Sequence, residues 1–361
     1  MKKIVTVGSA TQDIFVTQDT PYMMYDTHNA VDRTYLALPE GEKIEVKSLD
    51  YHIGGGATNS AVSFSRLNNE VDCCIRIGDD QQGEYIQQQL EQQNITVHAT
   101  IDPQQATGIS FILPTASKDR VVLVWRGANA FFEQSNVPDY VFKNKEGIYL
   151  SSLTGHSAHA FLPLVQRAKK EGMMVATNPG TSQLKKSTSS IIQSLAYIDI
   201  LICNAYEAQL CMRSLAEAKH KELTFFDQNH ADWPSLLQPA YGYNVRFFCN
   251  LLFQNGLSVV MITNGQEGVY VATRDGLLFH PSLPTTIVNT LGAGDAFGSC
   301  FVSSLMQAKD IKTATIEALL NARSVIEQLD AKSGLLTQQQ LAEKYRVLMQ
   351  EYNGQFMLFD L

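Results

Sequence analysis

The chain has 361 residues, enough for one large domain or two modest ones. Apolar residues make up 45% and charged residues 18%, proportions that exclude a wholly disordered, collagen-like or repeat-built protein. With 28 Lys+Arg against 36 Asp+Glu, the net charge of -8 supplies no global field for a polyanion, so a nucleic-acid partner is not expected and only a local site for a small anion remains open.

The first β-branched run, residues 4–7, ends at Gly8 and is too short for the apolar region of a secretion signal. Residues 13–53 carry no helical period but have turn signals at Pro21, Pro39 and Gly41 around alternating segments such as 43–47. Ile53-Gly-Gly-Gly-Ala-Thr-Asn59 then places Gly54, Gly55 and Gly56 before a helix predicted over 57–67. Three consecutive glycines exceed what a helix start needs and point to close approach of a ligand. A strand over 72–77 and a helix over 81–93 follow. Residues 108–113 and 120–125 read as two strands joined by a polar turn and, with 13–53, as an antiparallel flap outside the main sheet.

Strand and helix alternate again over 147–150 and 158–171, 173–177 and 187–196, and 198–203 and a helix from Ala205, with a further strand over 257–263. This rhythm predicts an α/β fold with a mostly parallel sheet flanked by helices. Residues 221–256 break it, and Trp233, Pro234, Pro239, Tyr241, Tyr243, Phe247 and Phe248 read as a packed insertion. No apolar stretch approaches the ~20 residues that span a bilayer, so no membrane partner is expected. The six cysteines form no C-x-x-C pair and read as small buried hydrophobes of a reducing, cytoplasmic compartment. His156 and His159 lack the further partners that a zinc site needs.

The strongest chemical signal is Val288-Asn-Thr-Leu-Gly-Ala-Gly-Asp-Ala-Phe-Gly298, running into an apolar helix. Gly292, Ala293 and Gly294 let successive amides approach an anion at the positive end of that helix, which suits a transferring phosphate. From spacing alone Asp295 serves equally as a carboxylate at a helix start or as the acceptor of a hydroxyl proton. Both G-x-G-x-x-G and G-x-x-x-x-G-K-[ST] are absent, which disfavours a nicotinamide dehydrogenase and a P-loop enzyme. Asn204-x-x-Glu207 and Asn178-Pro-Gly180 read by themselves as a helix opening and a strand-end turn.

Taken together, these segments resemble the ribokinase-like, PfkB-type family of carbohydrate and nucleoside kinases over roughly residues 2–335. The resemblance implies one ribokinase-like domain over 1–361 with an inserted β lid formed by about 13–53 and 108–126. It implies that Asp13, Gly54, Gly55, Gly56, Asn59 and Arg126 meet the substrate. Asn178, Asn204, Glu207, Thr263, Asn264, Gly265, Gly268 and Asn321 are implied at the nucleotide, with Glu207 reaching magnesium directly or through water. Gly292–Gly294 are implied as the anion hole and Asp295 as the base. The expected activity is ATP- and magnesium-dependent transfer of the γ-phosphoryl group to an alcohol of a small sugar. The alternatives are a nucleoside acceptor or a non-catalytic sugar sensor on the same fold. Members commonly carry Asp where Asn289 stands, beside a potassium or sodium site, so the resemblance leaves a monovalent cation undecided here. A homodimer through the lid is expected.

Overall fold

The computed structural model describes residues 1–17, 22–26, 33–115, 120–218, 245–351 and 356–360. The first part of the chain forms β1 (Lys3–Val7), β2 (Thr11–Thr17), β3 (Tyr22–Asp26), β4 (Arg33–Ala37), β5 (Ser48–Gly54), α1 (Gly56–Arg66), β6 (Glu70–Gly78), α2 (Gln81–Glu91) and β7 (Thr96–Asp102). Next come β8 (Gly108–Pro114), β9 (Arg120–Trp125), β10 (Gly147–Ser151), α3 (Phe161–Lys170), β11 (Met174–Asn178), α4 (Thr181–Lys186), α5 (Thr188–Ser194), β12 (Ile200–Asn204) and α6 (Ala205–Ala218). The remainder supplies α7 (Val245–Gln254), β13 (Val259–Thr263), β14 (Gly268–Thr273), β15 (Gly276–Pro281), α8 (Ala293–Met306), α9 (Ile311–Ile326), α10 (Gln338–Glu351) and β16 (Met357–Phe359).

Ten strands form one sheet in the order β16-β15-β14-β13-β12-β11-β10-β1-β6-β7. From β7 to β13 neighbours are parallel, and β14, β15 and β16 extend the edge antiparallel. The central strands are buried on both faces, which is why β1 and β10 read as nearly continuous apolar runs. Their side chains alternate between two cores. Val5, Val7, Ile148 and Leu150 pack with α3, α5, α6 and α7, whereas Ile4, Tyr149, Cys73 and Ile75 pack with α1, α2, α8 and α9. α1 is buried along most of its length because it is built from small residues. Its Thr58 and Ser60 hydroxyls donate back to the Gly54 and Gly56 carbonyls at 2.7 Å, which satisfies them inside the core.

A separate four-stranded sheet, β5-β2-β8-β9, carries the predicted flap. The expectation of an all-antiparallel flap is corrected: β2 and β8 pair in parallel. Residues 43–47 are not a strand either. Ile44 and Val46 are 40% and 44% exposed, so the alternation there has no sheet to pack against, and the strand begins at Ser48. β3 and β4 pair as an antiparallel hairpin. Of the 221–256 stretch, 221–244 lie outside the described residues, and α7 buries Val245, Phe248, Cys249 and Leu252 in the core. All six cysteines are buried free thiols. Among the described residues no helix is long and apolar enough to cross a membrane.

Candidate active site

The parallel strands β1, β10, β11, β12 and β13 all point their carboxyl ends at one rim, where α/β sheets bind ligands. Asn178, Asn204 and Thr263 are the last residues of β11, β12 and β13 and stand on that rim. On the flap side, β2 delivers Asp13, whose Oδ1 accepts from Thr11 Oγ1 at 2.9 Å. Burial pushes the Asp13 carboxyl above its ordinary value, against the pull of Lys332 and hydrogen bonds from Thr11 and Ser110. Gly54 sits against it so closely that a Cβ there would fall 1.9 Å from Asp13 Oδ2, so any side chain at this position would displace the Asp13 carboxylate. Arg126 is exposed just after β9. The turn that follows is clamped to the start of β2, with Asn129 Nδ2 donating to the Ala10 carbonyl at 2.7 Å and Asn129 Oδ1 accepting the Ala10 amide at 2.9 Å.

At the centre, Asn59 of α1 donates from Nδ2 to Asp295 Oδ2 at 2.8 Å. Gly55 and Gly56 connect β5 to this helix. Gly56 lies beside Asp295, whose Oδ1 is 3.6 Å from where a Gly56 Cβ would stand. Burial raises the Asp295 carboxyl to about 6; Asn59 and Lys332 oppose the rise, and Glu207 and Asp13 add to it. Asp295 stands in the first turn of α8, which starts at Gly292 in the left-handed region (φ 77). No side chain caps this helix. Its first amides therefore lack the partner that a Ser, Asp or Asn would provide. A Cβ at Gly294 would meet nothing within 4 Å, so the space over those amides is open.

That opening leads into a cavity of about 250 Å³ that Ala293 and Gly294 share with Thr263, Gly265 and Gly268, with Leu283, Ile287, Phe297 and Leu319 as apolar walls. Two segments separated in the chain, one expected as the anion hole and the other at the nucleotide, thus line one cavity. It suits a planar apolar group with an anion at its end. Asn264 closes the β13–β14 turn, its amide donating to the Gly268 carbonyl at 2.8 Å and its side chain to Glu267. The flap reaches the same region, since Arg120 donates to the hydroxyl of Thr290, another lining residue.

Asn204 and Glu207 form a capping box. The Glu207 amide donates to Asn204 Oδ1 at 2.9 Å and the Asn204 amide to Glu207 Oε2 at 3.0 Å, while Thr181 donates to Oε1 at 3.0 Å. Burial raises the Glu207 carboxyl against these hydrogen bonds. Among the described residues no group of three or more His, Cys, Asp or Glu is placed to hold a metal, His156 and His159 included. Glu207, a single carboxylate in the first turn of α6 at the carboxyl end of β12, fits magnesium, which binds through water and phosphate oxygens with one or two carboxylates rather than in a protein cage. Asn321 is placed differently from the expectation. It is fully buried, donating to the Ala296 carbonyl at 2.9 Å and accepting the Leu336 amide at 3.0 Å, so it ties α8 to the segment after α9 and does not line the cavity. Asn289 ties its own loop to the segment after α9, with Nδ2 donating to the Leu329 carbonyl at 2.7 Å and Oδ1 accepting the Leu291 amide at 3.0 Å.

Sequence reasoning missed Lys332, whose ammonium donates to Asn59 Oδ1 and to the Ile53 carbonyl at 2.5 Å. The signal was a lone lysine within a short, largely apolar string, Ala331 to Leu336.

A family model described as pfkB family carbohydrate kinase matches residues 1–230 and 249–338. The chain is 26% identical over 290 residues to a deoxyribokinase of Salmonella typhi, covering 78% of this chain and 84% of that protein. It is 26% identical over 320 residues to a ribokinase of Haemophilus influenzae, covering 86% and 92%. A ribokinase of Cryptococcus neoformans var. grubii, crystallised with ADP, superposes with a TM-score of 0.70 at 18% identity, covering 95% of this chain and all (100%) of that one.

Proposed function

We propose, from the premise that the chain belongs to the pfkB family of carbohydrate kinases and is a sugar kinase, that it transfers the γ-phosphoryl group of ATP to an alcohol of a small, pentose-sized sugar with Asp295 as the base. The observation that carries this reading is the position of Asp295. Its carboxylate is held by Asn59, lies close enough to Asp13 of the flap to feel its charge, and stands in the first turn of α8, whose uncapped amides open into the cavity along the β13–β14 turn. The pentose follows the two relatives named deoxyribokinase and ribokinase.

In this account Asp13 and Asn59 grip sugar hydroxyls, with Gly54–Gly56 giving the backbone close approach and Arg126 closing the pocket from the flap. The Ala293 and Gly294 amides stabilise charge on the transferred group, while Asp295 accepts the hydroxyl proton. Thr263, Asn264, Gly265 and Gly268 border the nucleotide along the β13–β14 turn, with Asn178 and Asn204 at the neighbouring strand ends. Magnesium, when bound, neutralises phosphate charge, and Glu207 would hold it through water beside Asn204. The flap excludes water, which competes as acceptor. The six buried thiols accord with a cytoplasmic location. An acceptor panel of ribose, deoxyribose, fructose and adenosine tests the reading by ADP release. Pentose-stimulated release at least tenfold over the sugar-free rate supports it, and stimulation by adenosine alone replaces the sugar by a nucleoside.

Two further outcomes follow. Asp295 must be ionised to accept a proton, so kcat/KM should rise with pH through about 6 and level off above it. A rate that is flat from about pH 5 to 8 would assign the base elsewhere. The chain should also be a homodimer. Tyr51, Ile14, Phe111 and Leu123 are in register across all four flap strands, and Tyr51, Phe111 and Leu123 are 53%, 42% and 55% exposed, with Trp125 beside them at 50%. An open apolar sheet face of this kind calls for a cover, and a second copy is the one proposed. Light scattering at micromolar concentration should give twice 40.1 kDa, and Leu123→Lys should give the single-chain mass. A wild-type monomer contradicts the dimer.

A further inference from the structure

Lys332 follows α9 in the turn Asp330-Ala331-Lys332-Ser333. Asp330 fixes this turn by accepting the Lys332 and Ser333 amides on Oδ1 at 2.8 and 2.9 Å. The lysine is only 8% exposed, yet it carries an ammonium to the Ile53 carbonyl and Asn59 Oδ1, on either side of the glycine turn. An ammonium only donates, so its bond to Asn59 Oδ1 dictates the orientation of that amide. With Oδ1 turned to Lys332, Nδ2 must face Asp295, which it meets at 2.8 Å. The opposite flip would press an NH₂ group against the ammonium and a carbonyl oxygen against the carboxylate. Lys332 lies outside the nucleotide cavity. Its burial is costly unless anions surround it, and Asp13, Asp330 and Asp295 do so.

We propose that Lys332 is a positioning residue for phosphoryl transfer: it fixes the Asn59 amide that holds Asp295, and its charge lets Asp13 and Asp295 remain anionic together in one pocket. The inference rests on the reading of Asp295 as the base. The charged and titratable groups that act on Asp295 are Lys332 from the turn after α9, Asp13 from β2 and Glu207 from α6, and the Tyr149 phenol on β10 lies close enough to feel its charge. Asp13 and Glu207 disfavour the carboxylate and Lys332 favours it. An opposite charge within ~4–6 Å lowers a carboxyl pKa by ~1–3 units, so removing this ammonium should move the acid limb of the rate profile upward.

The test is the pH dependence of kcat/KM for wild type, Lys332→Met and Lys332→Gln, with folding checked by circular dichroism and ATP affinity by titration. Gln keeps a donor for Asn59 without the charge. The expected result is folded variants with ATP affinity within about twofold of wild type and an acid limb displaced upward by about one unit or more. At about pH 6 this reads as a roughly fivefold or greater extra loss that is regained toward pH 9. A folded variant with the wild-type limb overturns the proposal, as does failure of both variants to fold, which would assign Lys332 to stability alone. If the wild type has no acid limb and Asp295→Asn stays active, the reading of Asp295 fails instead. An unmoved limb beside an inactive Asp295→Asn refutes only the role of Lys332.

Discussion

Asp295→Asn is expected to lower kcat by at least about 100-fold, the lower end of what a general base contributes, with sugar and ATP affinities little changed. The substitution preserves shape and leaves an oxygen to accept from Asn59, but it removes the group proposed to take the proton. Stability should move the other way. Burial raises the folded-state value of Asp295 from 3.8 to about 6. The stability associated with its neutral form is therefore full below the unfolded value and is lost as pH rises through about 6. At neutral pH the folded chain carries a desolvated carboxylate that Asn replaces with a neutral amide. The variant should melt no lower than wild type at neutral pH, and any gain should shrink as the solution is acidified. A clear drop in melting temperature with activity retained would make Asp295 a structural residue of the helix start.

Gly294→Val should reduce turnover by roughly 10²–10³, the cost of disabling a preorganised donor to the transferred group. Nothing within 4 Å would obstruct a Cβ at this position. The valine therefore projects into the open space over the α8 amides, where phosphate is proposed to sit. Glycine is itself the poorer helix former, so the exchange should alter stability by no more than about 1 kcal/mol. The expected pattern is a folded chain with weak nucleotide binding and little turnover. Unchanged kcat and ATP affinity would place the phosphate elsewhere.

The parallel sheet was legible because β1, β10, β11, β12 and β13 are buried on both faces and spell themselves as short apolar runs between helical periods. The edge strands β14, β15 and β16 were not anticipated. Pairing of β14 and β15 beyond β13 depends on a hairpin around Arg274 and Asp275, which no periodicity announces. The mixed flap was misread for a related reason. Turn signals and alternation identify strands, but whether β2 lies parallel to β8 is settled by contacts nearly a hundred residues apart in the chain. In the site, the glycines around Gly54 and Gly292 announced themselves because few other local structures need them. The tie that Asn321 makes between α8 and the segment after α9 was not legible, because an amide with such a role looks, in a sequence, like one that meets a ligand. Lys332 went unseen because burial of a lysine is a tertiary fact: only the fold brings its ammonium to Asn59, 273 residues away.

Under the proposed function this site moves a phosphoryl group from ATP to a sugar hydroxyl. The most direct measurement follows the label from ATP carrying a radioactive γ-phosphate, incubated with magnesium, the chain and the sugar that most stimulates ADP release. The account predicts that label leaves ATP in step with ADP formation and is recovered as sugar phosphate, with little inorganic phosphate, and that Asp295→Asn suppresses this recovery. Label recovered as inorganic phosphate, or remaining in ATP across the whole acceptor panel, would contradict it.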